Sequence, residues 1–302
     1  ELSNNPDFGH LMVATKKPQN NSINALLFTD SGTGYQQASI VDYCPTAVLD
    51  QDISYLDTSF AVKNVASISQ AEVGTLILCD EELMVYQSYD DVTKILTVKR
   101  AALDTVPKPH LQGAVFYFYD AFSAFDSEQY VLSEVIDAKV LTTTPSGILD
   151  MAAATALSVE MDARAIRPYP PAKVKINGVH YPKDLGVTNA LVITWVHRNR
   201  VQQTGGTVLG YFDAGVTAEN GITYQLTISE IDTDGVETPF LDIDVGLVDT
   251  YTVNLASMLS TTKKFRVILY SKRDAYTSFQ EFNFIVGATY SAPYNLLAEY
   301  VA

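Results

Sequence analysis

The chain has 302 residues, 47% hydrophobic and 18% charged, with a formal net charge of −15, which is enough apolar content for real cores and far from the composition of a disordered chain. The acidic balance, spread along the chain, excludes a phosphate-binding surface of clustered Lys and Arg, and with it nucleic acid or an anionic membrane as partner. No apolar run approaches the roughly 18–20 residues of a spanning helix, so direct membrane insertion is not expected.

Eighteen Tyr and 13 Phe against one Trp, with many Thr and Val, favour strands over helices. Residues 1–47 read as an N-terminal β segment. It opens on a polar Ser-Asn-Asn-Pro stretch with no signal-peptide pattern, and without an initiator methionine the chain is expected to be a piece of a longer one. Leu11 to Ala14, Ala25 to Phe28 and Tyr35 to Tyr43 are predicted strands, broken by Asn-rich and Gly-containing turns. Residues 48–119 read as a small β-barrel-like module. Leu56 to Val62 alternates polar and apolar residues, Gly74 to Leu78 is a near-continuous apolar run, and Glu82 to Tyr86 and Ile95 to Val98 flank an Asp90-Asp91 hairpin. Val115 to Tyr119 closes the module.

Residues 120–171 form a connecting segment. Val135 to Leu141 is a predicted strand, and the Ala-rich run from Asp150 to Leu157 is the one stretch with helical character, behind an Asp cap. Arg167-Pro168-Tyr169-Pro170-Pro171 enforces an extended linker, because proline fixes its own φ and turns the preceding residue away from helix.

From Ala172 to residue 287 about seven short strands follow, including Ala190 to Val196, which carries Trp195, and Lys264 to Tyr270. That pattern predicts a fibronectin type III-like sandwich. Leu259 precedes Phe265 by the spacing such domains use for a Leu…Tyr corner, but phenylalanine lacks the hydroxyl that makes the corner bond. Residues 288–302 are an apolar, aromatic tail or junction. The fold class is therefore all-β: serial small barrel and sandwich domains ending in a fibronectin type III-like sandwich.

Candidate chemistry is sparse. Cys44 and Cys79 lie among apolar neighbours without Cys-x-x-Cys spacing, and by themselves make neither a metal site nor a disulfide framework. His110 has no accompanying nucleophile pattern and is read as a loop histidine satisfying backbone carbonyls. Asp232-Thr-Asp234-Gly235 opens like a calcium loop, yet its twelfth position is Ile243, so it is read as a hairpin turn. Asp242, Asp244 and Asp249 nearby leave room only for a loose cation site. No catalytic residue, metal or cofactor is expected. Partner contacts are assigned to His197, Arg198 and Arg200, a basic group in an acidic chain, and to Tyr294 and Tyr300 in the tail.

Four stretches carry a resemblance: Asn5-Pro-Asp-Phe-Gly-His-Leu-Met-Val-Ala; Gly74 to Asp80 running to Arg100-Ala-Ala-Leu-Asp-Thr-Val-Pro-Lys-Pro-His110; Arg164-Ala-Ile-Arg-Pro-Tyr-Pro-Pro171; and Trp195-Val-His-Arg-Asn-Arg200. In that order they resemble the hub-associated tail-tip and baseplate proteins of long-tailed bacteriophages and gene-transfer agents. The resemblance implies a non-enzymatic virion protein, made in the bacterial cytoplasm, that assembles around the tail hub as a homo-oligomer, with a trimer favoured. Its partners would be hub, distal-tail, central-fibre or receptor-binding proteins, and its role host attachment. The alternatives are a host-surface module binding a glycan, pilus or outer-membrane protein, and an accessory fragment of a polysaccharide-degrading enzyme.

Overall fold

The computed structural model describes residues 9–186, 188–202 and 207–288. The chain divides into two compact units, one formed by the residues up to Tyr169 with Asn199–Asp213, the other by Pro170–Arg198 with the residues from Ala214 on. Strands dominate, and the helical residues described are three single 3-10 turns.

In the first unit the strands are β1 (Met12–Val13), β2 (Ala25–Asp30), β3 (Gln36–Val41), β4 (Thr46–Leu49), β5 (Ser59–Ala66), β6 (Leu76–Cys79), β7 (Glu82–Asp90), β8 (Ile95–Lys99), β9 (Val115–Phe118), β10 (Ala124–Phe125), β11 (Val135–Thr144), β12 (Gly147–Ile148) and β13 (Leu157–Glu160). Strands β4 to β9 close a barrel in the order β4-β5-β8-β7-β6-β9, all pairs antiparallel. Alternate residues of each strand point inward and fill the barrel. Phe60 stacks on Phe116 at 5.3 Å, and Tyr86 meets Phe118 edge-on at 5.2 Å. Met84, Leu96 and Val98 complete this core.

A second sheet joins chain segments on either side of the barrel. Strand β2 pairs with β3 and with β11, so residues before the barrel and residues after it share one sheet and one core, built on Leu27, Val41, Ile136 and Ala138. Residues 1–47 and 120–171, separate segments in the sequence, share this sheet. The other side of β11 carries β13 along Val135–Ala138 and β12 along Thr143–Thr144.

The helix expected from Asp150 is corrected to one 3-10 turn, Met151–Ala153. Asp150 does cap it, accepting from Ala152 N at 2.8 Å. Leu157-Ser-Val-Glu then pairs with β11, and that ladder outweighs the weak helical preference of the alanines before it.

The second unit contains β14 (Ala172–Ile176), β15 (Ala190–Val196), β16 (Thr223–Ile231), β17 (Glu237–Gly246), β18 (Thr250–Asn254), β19 (Lys264–Arg273), β20 (Tyr276–Thr277) and β21 (Phe282–Gly287). One sheet has the order β14-β15-β18, and the other β17-β16-β19 with β20 and β21 on the far side of β19. Buried, alternating residues line both sheets: Leu191, Ile193 and Trp195 on β15; Tyr224, Leu226 and Ile228 on β16; Phe265, Val267 and Leu269 on β19. This strand order is that of a fibronectin type III-like sandwich. The corner hydroxyl missing at Phe265 is replaced from another strand. Buried Glu230 of β16 accepts from Leu259 N at 3.2 Å and from Thr262 Oγ1 at 2.8 Å, which fastens the turn before β19.

Candidate functional site

Polar side chains inside the barrel wall gather where β7 begins and β8 ends. Inward alternation places Glu82 in phase with Met84 and Tyr86, and Arg100 in phase with Leu96 and Val98. Both charged side chains are fully buried. Arg100 donates Nε to Glu82 Oε1 at 2.7 Å and Nη2 to Oε2 at 2.9 Å. Its remaining donors reach the carbonyls of Ser54, Asp57 and Lys108. A guanidinium has five N–H groups, and all of them are engaged. The clasp ties the loops at 54–57 and 101–110 to the barrel, and it leaves Arg100 nothing with which to bind a ligand.

Glu82 is equally saturated. Besides Arg100 it accepts from Ala101 N and Lys108 N, each at 2.9 Å, and lies 3.0 Å from His110 Nε2. Burial would raise its carboxyl, but the bonds from Arg100 and His110 outweigh burial and hold it below the usual range.

His110 departs from the sequence expectation. Its backbone pairs with Ile53, but its ring engages carboxylates, not carbonyls: Nε2 meets Glu82, and Nδ1 lies 2.7 Å from Asp80 Oδ2. Burial would lower the imidazole, yet the hydrogen bonds to Glu82 and Asp80 prevail and raise it above its ordinary value. Cys79 Sγ lies 3.6 Å from His110 Nδ1. Among the described residues, Cys79, Asp80 and His110 form a group whose ligand atoms all fall within 4.8 Å of one another. Cys44 is elsewhere, and both cysteines are free and buried.

Three of the four quoted sequence stretches also meet. Arg164 grips Asp104 of the Arg100–His110 loop with Nε at 2.6 Å and Nη2 at 3.0 Å, and Arg200 Nη1 reaches the Ala165 carbonyl. Residues returning at 210–213 lie on the end of β8. Tyr211 N donates to Arg100 O at 2.8 Å, and Lys99 pairs with Asp213 at 2.8 Å.

The proposed partner-contact residues are placed as follows. His197 stacks on Tyr224 and shares a 2.7 Å hydrogen bond with its hydroxyl, while Trp195 packs edge-on against the same ring. Arg198 and Arg200 are 4% and 3% exposed. Tyr294 and Tyr300 lie outside the described residues. Asp232 Oδ1 accepts from Asp234 N and Val236 N at 2.9 Å, and Gly235 takes φ +81°, which is hairpin-turn chemistry. Asp242 bonds Gln225 and Thr227, and Asp244 bonds Thr223 and Lys272, so both carboxylates already have protein partners. A wide depression of about 1100 Å³ beside β5 is lined by Lys63, Asn64, Ser67, Tyr89 and Lys94. Its lysines pair with Asp50 and Asp91.

No protein-family model matches the chain, and no curated protein matches it. Among solved structures, the chicken CNTN1 FN1–FN3 domains are similar at a TM-score of 0.23 and 9% identity, over 80% of this chain and 63% of that one. A likeness this slight carries no argument, and the fold rests on the strand order above.

Proposed function

We propose that this chain is a structural component of a phage tail tip or baseplate. It would assemble around the tail hub and link it to central-fibre or receptor-binding components for host attachment. The observation that supports this reading is strand β13. All four of its residues are exposed, although Leu157 and Val159 are in register with the buried Ala138 and Ile136 of β11 and so point to the core side of the sheet. Val131, Leu132 and Val135 add exposed apolar surface in the residues leading into and starting β11. The strand is short and ends on Glu160, but its apolar residues on an exposed edge still offer a template for another chain. A protein that works through subunit interfaces has use for such an edge.

The host-surface alternative requires exposed aromatic rings grouped on loops. Among the described residues every tyrosine is buried or half-buried, and the exposed phenylalanines are Phe125 and Phe279, one in each unit. That favours assembly over direct ring-to-glycan contact.

Intact and native mass spectrometry of purified particles tests the reading. The expected result is this polypeptide present in virions in multiples of three. A free monomer absent from every particle overturns it.

A further inference from the structure

We propose that Cys79, Asp80 and His110 form a binding site for one transition-metal ion, with Zn2+ the best fit, at the turn between β6 and β7. The site is independent of the proposed function above. In sequence the cysteine and the histidine are 31 residues apart. The barrel brings them together because Cys79 ends β6 pointing inward and His110 pairs through its backbone with Ile53.

The geometry fits tetrahedral zinc. Zn–S of about 2.3 Å and Zn–N of about 2.0–2.1 Å place sulfur and nitrogen roughly 3.6 Å apart at a tetrahedral angle. Cys79 Sγ and His110 Nδ1 are 3.6 Å apart. Asp80 Oδ2 is 2.7 Å from the same nitrogen, closer than the roughly 3.3 Å expected of two zinc ligands. Its side chain is 59% exposed on a turn residue with φ +49°, so a small side-chain rotation opens the gap. Cys79 and the His110 ring are buried, so the ion would enter from the side of exposed Asp80.

The surroundings suit a metal ligand. A ligating imidazole commonly gives its other N–H to a carboxylate, which fixes the tautomer and orients the ring. Glu82 stands at that position, 3.0 Å from Nε2, and is itself held by Arg100. The clasp thus becomes an outer support for the site. Thiolate and imidazole donors select zinc over magnesium or calcium. On binding, the Cys79 S–H bond and the His110 Nδ1–H bond that faces Asp80 both break, S–Zn and N–Zn bonds form, and both protons leave to solvent while Nε2–H stays on Glu82. A coordinating thiol is deprotonated outright, even where burial disfavours the free thiolate, as it does here.

The test is a Co2+ titration of the full chain, reduced and stripped of metal by chelation. The expected result is one equivalent bound, with a thiolate-to-cobalt charge-transfer band and the visible bands of four-coordinate cobalt, both erased by added Zn2+. Cys44→Ser should leave the spectrum unchanged and Cys79→Ser should abolish it. Asp80→Asn is at an exposed position and keeps the decision open if Cys79→Ser fails to fold. It should weaken Co2+ by at least the roughly 10–100-fold that loss of an outer-shell partner costs. Cobalt bound without a thiolate band, no stoichiometric binding, or unchanged affinity in Asp80→Asn overturns the site.

Discussion

Glu82 and Arg100 form a two-point ion pair inside the barrel wall, with contacts of 2.7 and 2.9 Å and neither side chain exposed to solvent. Removing one partner leaves a buried charge without its counter-ion. Glu82→Leu or Arg100→Met alone should therefore each cost about 3–5 kcal/mol. Replacing both by apolar residues of similar volume, Glu82→Leu with Arg100→Met, should cost less than the sum of the single changes, because no lone charge is left. Denaturant unfolding of the four proteins measures this directly. Additive losses would show that the two side chains act separately.

Glu230 does the work of the absent corner hydroxyl in the sandwich. With its carboxylate on Leu259 N and Thr262 Oγ1, Glu230→Ala should destabilise by about 1–3 kcal/mol, the cost of leaving buried polar partners unmet. Amide exchange should quicken first at 259–262. Restoring the usual tyrosine by Phe265→Tyr should not help. Phe265 is completely buried opposite Glu230, whose carboxylate already meets Leu259 N and Thr262 Oγ1, so an added hydroxyl would compete for a corner that is already fastened. A gain in stability from Phe265→Tyr would refute this account of the corner.

The alternation of residues made most of the fold legible. Tyr224-x-Leu226-x-Ile228 and Phe265-x-Val267-x-Leu269 alternate in the sequence, and each trio is buried along a strand. The same parity carries a signal for the buried ion pair. Glu82 shares the inward phase of Met84 and Tyr86, and Arg100 that of Leu96 and Val98, so each charge was bound inward and each needed the other. The grouping of His110 with Asp80 and Glu82 had no local signature, because separations of 30 and 28 residues are closed only by the barrel. The return of Asn199–Asp213 to the first unit was equally hidden. It rests on backbone bonds such as Tyr211 N to Arg100 O, which composition does not encode. The alanines after Asp150 misled in the opposite way, since intrinsic preference is weaker than a strand ladder.

Acid should loosen the second sheet of the first unit through Asp126. Burial would raise this carboxyl, but bonds from Thr29, Tyr130 and Glu128 N outweigh it and hold it below its ordinary value. A carboxyl depressed in the folded state contributes stability that is fully present above the unfolded value, about 3.9. That contribution is lost as pH falls through the lower, folded value. Asp126→Asn should therefore be less stable than the parent at pH 7, and the difference should shrink as the pH is taken below about 4. Urea unfolding of the two proteins across that range decides it. A constant difference would remove Asp126 from the acid response.

Strand β13 supplies the most direct check on the assembly reading. Leu157 and Val159 are 69% and 38% exposed, and among the described residues β13 pairs only with β11. A lysine there removes no buried contact of consequence, and exposed substitutions of that kind usually stay within about 0.5 kcal/mol. Yet an inward-pointing charge on an edge strand is one of the devices by which natural sheets refuse a further strand. Leu157→Lys with Val159→Lys should therefore leave the melting temperature of the isolated chain nearly unchanged and abolish its incorporation into particles. Val92→Lys, at a position 90% exposed on the barrel hairpin, controls for the added charge and should incorporate normally. The two outcomes separate cleanly, since a folding defect lowers the melting temperature and an interface defect does not. Normal incorporation of the double variant would show that β13 is not an assembly edge, and the reading built on it would fall.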